Sequence, residues 1–541
     1  MSLIKHTSTI AGFTIISRIF GFVRDMLLAR VLGAGLAADA YQLAFTLPNT
    51  FRRLFAEGAF SVAFVPMYSR KLAGENGEAE AAQFADDVLS VFVWILLGFS
   101  ALAMIAMPLI VYALASEYAN VSGKFELAVF LSRVTFPYLF FISLVAMLSG
   151  LLNARSRFAP GAIAPVLFNI TLIGGIIAGY YLRGDSGDDR QVVSVLSVAV
   201  SLSGLVQFVY LWWAVKRAGL RLKFKFPKIT PEVKRLGIII LPATFGAGIY
   251  QISQFVDTFF ATSLPQGSLT LLKMGDRLNQ MPLGIVGIAL GTAILPMLSR
   301  FIQSGDKVQA QKLQSNAFEM ATLLTLPAAA ALAICAPAFT TAFFVGGKFT
   351  AADGATMSNI VVALVAGLPA YVIVKILNPG FFARSDTRTP VYCALASLIF
   401  NIGLNIYMIS VAGYGIVGLA AATACSATLN CILLYIMLHR RGWFHFTASL
   451  AGRVLRQLLA AGAMSALLWW LMSWMAPYYS GSVLEKILSL TLIVVTGGAV
   501  YAGVGWFTGA IDKSQISALK RSRAPSRDDS DVTASKKDKS A

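Results

Sequence analysis

The sequence predicts an all-α integral membrane protein of about 14 transmembrane helices, built as two parallel-repeat six-helix lobes followed by a C-terminal helix pair. Three observations predict it. Of 541 residues, 57% are hydrophobic and only 13% charged, whereas soluble domains carry roughly a quarter of their residues charged. Apolar runs of about 20 residues, long enough to cross a bilayer core, recur from end to end with short polar breaks. Several short words also repeat in the same order at nearly one offset.

The spans lie at approximately 8–33, 37–60, 84–115, 128–152, 160–183, 191–215, 236–262, 268–298, 317–345, 356–383, 389–412, 415–438, 450–475 and 484–510. They are expected as helices because lipid offers no partner to backbone N–H and C=O groups, and a membrane barrel would show alternating segments of about ten residues instead. The first stretch is interrupted by charge and too long for a signal h-region, so it is expected to remain as the first span.

A net charge of +18 raises the question of nucleic acid, and the placement of the basic residues answers it. With a cytoplasmic N-terminus, about 30 of the 44 Lys and Arg fall in inside loops, against about five outside: Lys124, Arg183, Arg190, Lys348 and Lys486. That positive-inside pattern places both termini in the cytoplasm and points to a membrane rather than nucleic acid. The remainder lie within spans or at their ends: Arg18, Arg24, Arg30, Arg52, Arg53, Arg133, Lys273, Arg277 and Lys375.

"VPMYSR" at 65–70 matches "LPMLSR" at 295–300, "ARS" at 154–156 matches 383–385, and "LFNI" at 167–170 matches "IFNI" at 399–402. The offsets are 230, 229 and 232 residues, so spans 1–6 and 7–12 read as two copies. The expected organisation is an N-terminal lobe 1–215, a basic cytoplasmic linker 216–235, a C-terminal lobe 236–441, a helix pair within 442–510, and a disordered tail 511–541. An even number of spans per copy makes the repeats parallel, an arrangement of secondary transporters in which one lobe rocks on the other around a shared substrate site.

Charge inside a membrane costs at least about 2.5–3.5 kcal/mol per residue, so such residues face a cavity or a partner. The first copy concentrates Arg18, Arg24, Asp25 and Arg30 on span 1 and Asp39, Arg52, Arg53 and Glu57 on or near span 2. Arg53 and Glu57, four apart, share a helix face, as do Arg18 and Asp25, seven apart; this leaves Arg24 and Arg52 without evident partners. Guanidinium stays charged and grips phosphate in a bidentate fork, so the group reads as an anion site, most positive against the first lobe. Arg18 and Arg24 point about 120° apart on an ideal helix, and a bend at Gly21 is expected to bring both to one cavity. Arg30, near a span end, is expected at the membrane edge.

"GYGIVG" at 413–418 has the letters of a dinucleotide motif but joins two membrane spans rather than a strand to a helix, and reads as a tight turn. "GIIAG" at 175–179 and "GIALG" at 287–291 are small-xxx-small patterns for close helix packing. Cys335, Cys393, Cys425 and Cys431 stand singly as small core residues, and no Walker loop, HExxH motif or triad is found.

"SRIFGFVRD" (17–25), "ADAYQLAFTLPNTFRRLFAEGAFSVAFVP" (38–66), "GDRLNQMPLGIVGIALGTAILP" (275–296) and "VKILNPGFFARSDTRTP" (374–390) resemble the MurJ (MviN) family of lipid II flippases, of the multidrug/oligosaccharidyl-lipid/polysaccharide exporter superfamily. The resemblance spans all the predicted helices but not the tail. It implies transfer of undecaprenyl-diphosphate-linked peptidoglycan precursor from the inner to the outer leaflet of the bacterial inner membrane, without bond chemistry. It places Arg18, Arg24, Asp39, Arg52, Arg53 and Arg277 at the substrate, supported by Ser17, Asp25, Glu57 and Gln280, with spans 13 and 14 bordering a lipid-tail groove. Many relatives have Glu where this chain has Gln280, which puts a charged Arg277 partnership in question. Some relatives bind sodium, at positions matched here by Asp257, Asn401, Asn405 and Thr423, with Asn405 in place of a carboxylate. The implied partners are lipid II, membrane lipids and the cell-wall synthesis or division machinery. Three alternatives stay open: a cation-coupled exporter of drugs or other lipid-linked oligosaccharides, an enzyme acting on polyprenyl-diphosphate sugars, and a non-transporting scaffold.

Overall fold

The computed structural model describes residues 3–52, 60–184, 187–479 and 481–511. Their regular elements are helices, with one isolated bridge, Gly346 to Phe349. The first nine helices are α1 (Leu3–Leu32), α2 (Leu36–Arg52), α3 (Phe60–Leu72), α4 (Gly77–Ile105), α5 (Met107–Leu114), α6 (Lys124–Thr135), α7 (Pro137–Ala154), α8 (Ala159–Arg183) and α9 (Asp189–Arg217). There follow α10 (Pro231–Thr262), α11 (Ser268–Pro282), α12 (Ile288–Gln303), α13 (Lys307–Phe339), α14 (Ala351–Val365), α15 (Leu368–Phe382), α16 (Arg388–Ile406), α17 (Gly415–Arg440), α18 (Ala448–Met475) and α19 (Val483–Phe507).

Ten helical segments among the described residues are long and apolar enough to cross a membrane, and they fall on expected spans 3–6 and 9–14. The other four expected spans coincide with α1, α2, α10 and the pair α11–α12. Of these helices, α2, α11 and α12 have only 17, 15 and 16 residues, while α1 and α11 carry the charges from Arg18 to Arg30 and from Lys273 to Arg277. The exposed faces carry Leu102, Ile105, Trp469 and Trp474, large apolar side chains that lipid can solvate.

Local chemistry sets the boundaries. Thr350 with Asp353 and Ser482 with Glu485 form capping boxes at the starts of α14 and α19. Pro282 ends α11, and a π-helical turn, Leu283–Gly287, leads into α12. The duplicated words adopt like conformations: Pro66 and Pro296 lie inside α3 and α12, and Ser156 and Ser385 both have φ 59°. "GYGIVG" turns at Gly413 and Tyr414 into the first residues of α17, with Gly413 and Gly415 at φ 71° and 52°.

The chain divides into two compact units, one of Met1–Met281, Phe339–Gly367 and Asp386–Leu434, the other of Pro282–Ala338, Leu368–Ser385 and Tyr435–Ala541. In the first, α8 packs on α9 through Gly175 and Gly179, which abut Ala199 and the Val192 backbone, the close approach that "GIIAG" predicts. The basic linker is pinned to α4: the Lys223 amide donates to Asp86, the Lys225 amide to Ser90, and Lys225 Nζ pairs with Asp86 at 3.1 Å. In the second, α12 packs on α15 around Ile294, Leu368, Val372 and Ile376. Here α18 and α19 dock on α13, through Arg453 to Glu319 at 2.7 Å and Tyr501 Oη to the Leu323 carbonyl at 2.8 Å.

Within the first unit, the turn at 346–349 closes onto the end of α1. The Lys348 amide donates to the Arg30 carbonyl at 2.8 Å, and Lys348 Nζ reaches both Asp189 oxygens at 2.7 and 2.8 Å. Gly347, at φ +58°, lies so close that a Cβ would run into the Arg30 carbonyl oxygen. Gly347→Ala is therefore expected to destabilise the protein by more than about 1 kcal/mol. Thermal unfolding of the purified protein tests this, and an unchanged melting temperature counts against the close docking.

Candidate substrate cavity

The first unit holds a cavity of about 900 Å³, counted out to its open mouth. Arg24 and Asp25 line it from α1, Tyr41 and Asn49 from α2, and Lys273, Asp276, Arg277 and Gln280 from α11. The period of α11 explains its share: Lys273, Asp276, Arg277 and Gln280 are spaced three and four apart and so share one face.

Asp25 is the hinge of the wall. Its Oδ1 accepts from Arg24 Nε at 3.0 Å and Nη2 at 2.7 Å, and its Oδ2 pairs with Arg277 Nε at 3.2 Å. One carboxylate thus bridges α1 and α11. Arg24 Nη1 donates to Asn169 Oδ1 at 3.0 Å, and Asn169 Nδ2 donates to the carbonyls of Ser17 and Pro165 at 3.0 and 3.1 Å. The Arg24 guanidinium also lies 5.5 Å from the Phe168 ring centroid. Arg24 is 7% exposed and locked, whereas the Arg277 side chain is 46% exposed, so Arg277 is the more accessible of the two guanidinium groups.

These contacts correct several expectations. Asp25 pairs with Arg24 and Arg277 rather than with Arg18, because a separation of seven residues sets Arg18 about 10.5 Å away along the axis. Arg24 does not lack a partner. Helix α1 runs unbroken through Gly21, where the Asn169 amide lies 3.5 Å from the position a Cβ would take. Arg18 is exposed, with its Nη1 3.4 Å from the Met281 carbonyl, so it and Arg24 occupy different environments. Gln280 does not disturb the Arg277 ion pair; it and Asn279 donate to Asp276. The described lining carries three cations and two carboxylates, and since Arg24 and Asp25 offset each other on α1, the excess positive charge sits on α11.

Other predicted residues fall elsewhere. Asp39 is 2% exposed and does not line the cavity: Oδ2 accepts from Lys124 Nζ at 3.1 Å and the Gly267 amide at 2.8 Å, Oδ1 from the Thr270 amide and hydroxyl at 3.1 and 2.8 Å. Lys124, at the start of α6, is thus buried. Arg52 donates to Asn49, and half-buried Arg30 lies 3.4 Å from the Ala342 carbonyl. Arg53 and Glu57 lie outside the described residues. Lys375, in the second unit, packs over Gly287 and Gly291.

Asp257, Asn401, Asn405 and Thr423 do come together, from α10, α16 and α17. Asn405 Nδ2 donates to Asn401 Oδ1 at 3.1 Å, and Asn405 and Thr423 lie beside the Asp257 carboxyl, with Lys273 in electrostatic reach. The 232-residue offset relating "LFNI" to "IFNI" carries Asn169 to Asn401 and Asp25 to Asp257. At these matched positions Arg24 joins Asp25 to Asn169, whereas Asn405 joins Asp257 to Asn401, and Val256 stands where Arg24 does. Asn169 was legible only as a letter of that repeated word; nothing local marks it as the support of Arg24.

A polytopic helical chain with a charged, open-mouthed cavity is of the transporter class. A multidrug resistance MATE family transporter of the MOP superfamily, in an inward-facing conformation, shares the fold with a TM-score of 0.65 at 14% identity, covering 79% of this chain and 94% of that one. A solved structure of lipid II flippase MurJ in an inward closed conformation is similar with a TM-score of 0.73 at 24% identity, covering 92% and 98%. A family model described as lipid II flippase MurJ matches residues 28–489. A probable lipid II flippase MurJ of Rhizobium meliloti is 39% identical over 95% of this chain and 96% of its own length. A lipid II flippase MurJ of Burkholderia cenocepacia is 32% identical over 94% and 98%. The chain belongs to the lipid II flippase MurJ family.

Proposed function

We propose that this chain is a lipid II flippase, a multi-pass inner-membrane transporter rather than an enzyme, moving the undecaprenyl-diphosphate-linked precursor outward by alternating access. The observation that carries the reading is the Arg24–Asp25–Arg277 bridge on the cavity wall. An entering diphosphate competes with Asp25 for Arg277, and that exchange loosens α11 from α1, coupling headgroup binding to movement of one copy against the other. The proposal includes an organisation of two six-helix lobes plus a C-terminal pair, with both termini cytoplasmic. An inside-negative potential favours outward transfer by about 2.3 kcal/mol per negative charge per 100 mV.

A cation exporter is the weaker reading, because the cavity carboxylates are engaged: Asp25 by two arginines, Asp276 by two amides. Lipid II translocation in reconstituted vesicles with an imposed potential tests the proposal. Arg277→Ala removes a charge-assisted contact of about 1.5–3 kcal/mol and is expected to slow transfer roughly tenfold to a hundredfold. Wild-type rates in Arg277→Ala would overturn the assignment.

The Asp257 group fits a sodium ion in part. Its donors are oxygens, as a hard cation prefers, and Asp257 Oδ1 and Asn405 Oδ1 are buried without a hydrogen-bond partner among the described residues. We propose that these residues take sodium, whose charge would add to that of Lys273. Sodium should then raise the melting temperature over matched potassium in the wild type and not in Asp257→Asn; equal responses in the two proteins would remove the site.

A further inference from the structure

The segment "HRRGWFH" at 439–445 sets two histidines on either side of the turn that ends α17. They enclose five residues, the widest His pair spacing of zinc motifs. The turn itself is a Schellman motif: the Trp443 amide donates to the Leu438 carbonyl at 2.9 Å and the Gly442 amide to the His439 carbonyl at 3.0 Å, with Gly442 at φ 67°. It reverses the chain and returns His445 to His439.

The two Nδ1 atoms lie 3.1 Å apart, the ring planes are 83° to each other, and both residues are exposed. Zinc–imidazole bonds of about 2.0–2.1 Å put two nitrogens of one ion about 2.9 Å apart at a right angle and about 3.4 Å apart at the tetrahedral angle. The observed separation falls between these limits. A hydrogen bond from one imidazole to the other accounts for the same distance, but it does not account for how firmly the pair is supported. Gln311 of α13 donates to the His445 carbonyl at 2.6 Å and accepts from the His445 amide at 3.0 Å. On either side of His445, Phe444 and Phe446 pack on Phe318 with ring centroids 6.3 and 5.4 Å away, and the Tyr435 ring lies 5.7 Å from His439. These contacts fix the imidazoles without occupying their ring nitrogens, the support that a ligand pair requires.

The C-terminal end of α17 carries partial negative charge and favours a cation. Arg440 and Arg441 oppose it, but both are exposed and screened by solvent. Among the described residues no third His, Cys, Asp or Glu joins the pair, so water would complete the coordination shell.

We propose that His439 and His445 bind one divalent transition-metal ion of the zinc or nickel class through their Nδ1 atoms, fastening the end of α17 to the segment that enters α18. Imidazole nitrogen selects such ions over magnesium and calcium, which take oxygen. The site is separate from the Asp257 group and does not rest on the flippase reading.

The test uses the full chain purified in detergent without a polyhistidine tag and freed of metal by a chelator. Calorimetric titration with Ni²⁺, Zn²⁺ and Mg²⁺ in separate arms should show one Ni²⁺ or Zn²⁺ per chain and no Mg²⁺. His439→Ala and His445→Ala should each weaken Ni²⁺ binding about tenfold or more, the loss of one of two protein ligands. Ni²⁺ should also raise the melting temperature of the wild type and of neither histidine variant. Replacing the chain's third histidine, in His6→Ala, or the exposed Cys425, in Cys425→Ser, should leave the affinity unchanged. Equal Ni²⁺ affinity in wild type, His439→Ala and His445→Ala, or binding that is lost in His6→Ala or Cys425→Ser instead, would overturn the proposal.

Discussion

Replacing Asp39 with alanine is expected to destabilise the protein by about 3–5 kcal/mol, the cost of stripping one partner from a buried ion pair. Asp39 is 2% exposed and uses both oxygens, one toward Lys124 and Gly267, the other toward Thr270. The Gly267 and Thr270 amides belong to the start of α11, where backbone donors have no partner within the helix and the helix dipole favours a negative charge. Lys124, its side chain 5% exposed and its Nζ 4.0 Å from the Tyr118 ring centroid, would be left as an uncompensated buried cation. Thermal unfolding of Asp39→Ala measures the effect, and a double-mutant cycle with Lys124→Met isolates the pair. The double variant should recover part of the loss, because it no longer buries a lone charge. A loss below about 1 kcal/mol in Asp39→Ala would show that the network is weaker than its geometry.

Asp25→Ala is expected to be about as damaging, again about 3–5 kcal/mol, because it strands buried Arg24. Arg24→Ala should be milder for folding, since Asp25 keeps Arg277, yet it should abolish complementation in cells depleted of their own flippase. Arg24→Lys should fail as well: an ammonium cannot hold Asp25 through two nitrogens and Asn169 through a third. Membrane levels, melting temperature and growth, measured together, separate loss of folding from loss of transport. Growth of Arg24→Ala cells at normal membrane levels would remove Arg24 from the transport mechanism.

Both results turn on contacts that helix periodicity could not supply. Periodicity relates residues on one helix, and by that rule Arg18 was matched to Asp25. The partners that matter lie far off in sequence: Asn169 is 145 residues from Arg24, and Thr270 is 231 from Asp39. The repeat carried part of this information, since its offset relates Asn169 to Asn401 and Asp25 to Asp257. It could not show that an arginine joins Asp25 to Asn169 whereas Asn405 joins Asp257 to Asn401.

By itself the sequence determined that the chain is helical and solvated by lipid, that several of its words recur at nearly one offset, and that its charge is concentrated on a few spans. Those properties follow from composition and spacing, which act residue by residue. Only the tertiary structure decided that Arg24 is a locked support, that Arg277 is the exposed cation, and that Asp39 binds the start of α11 rather than facing the cavity. A buried charge takes whichever partner the packing of distant helices brings within about 3 Å, and that choice is not local.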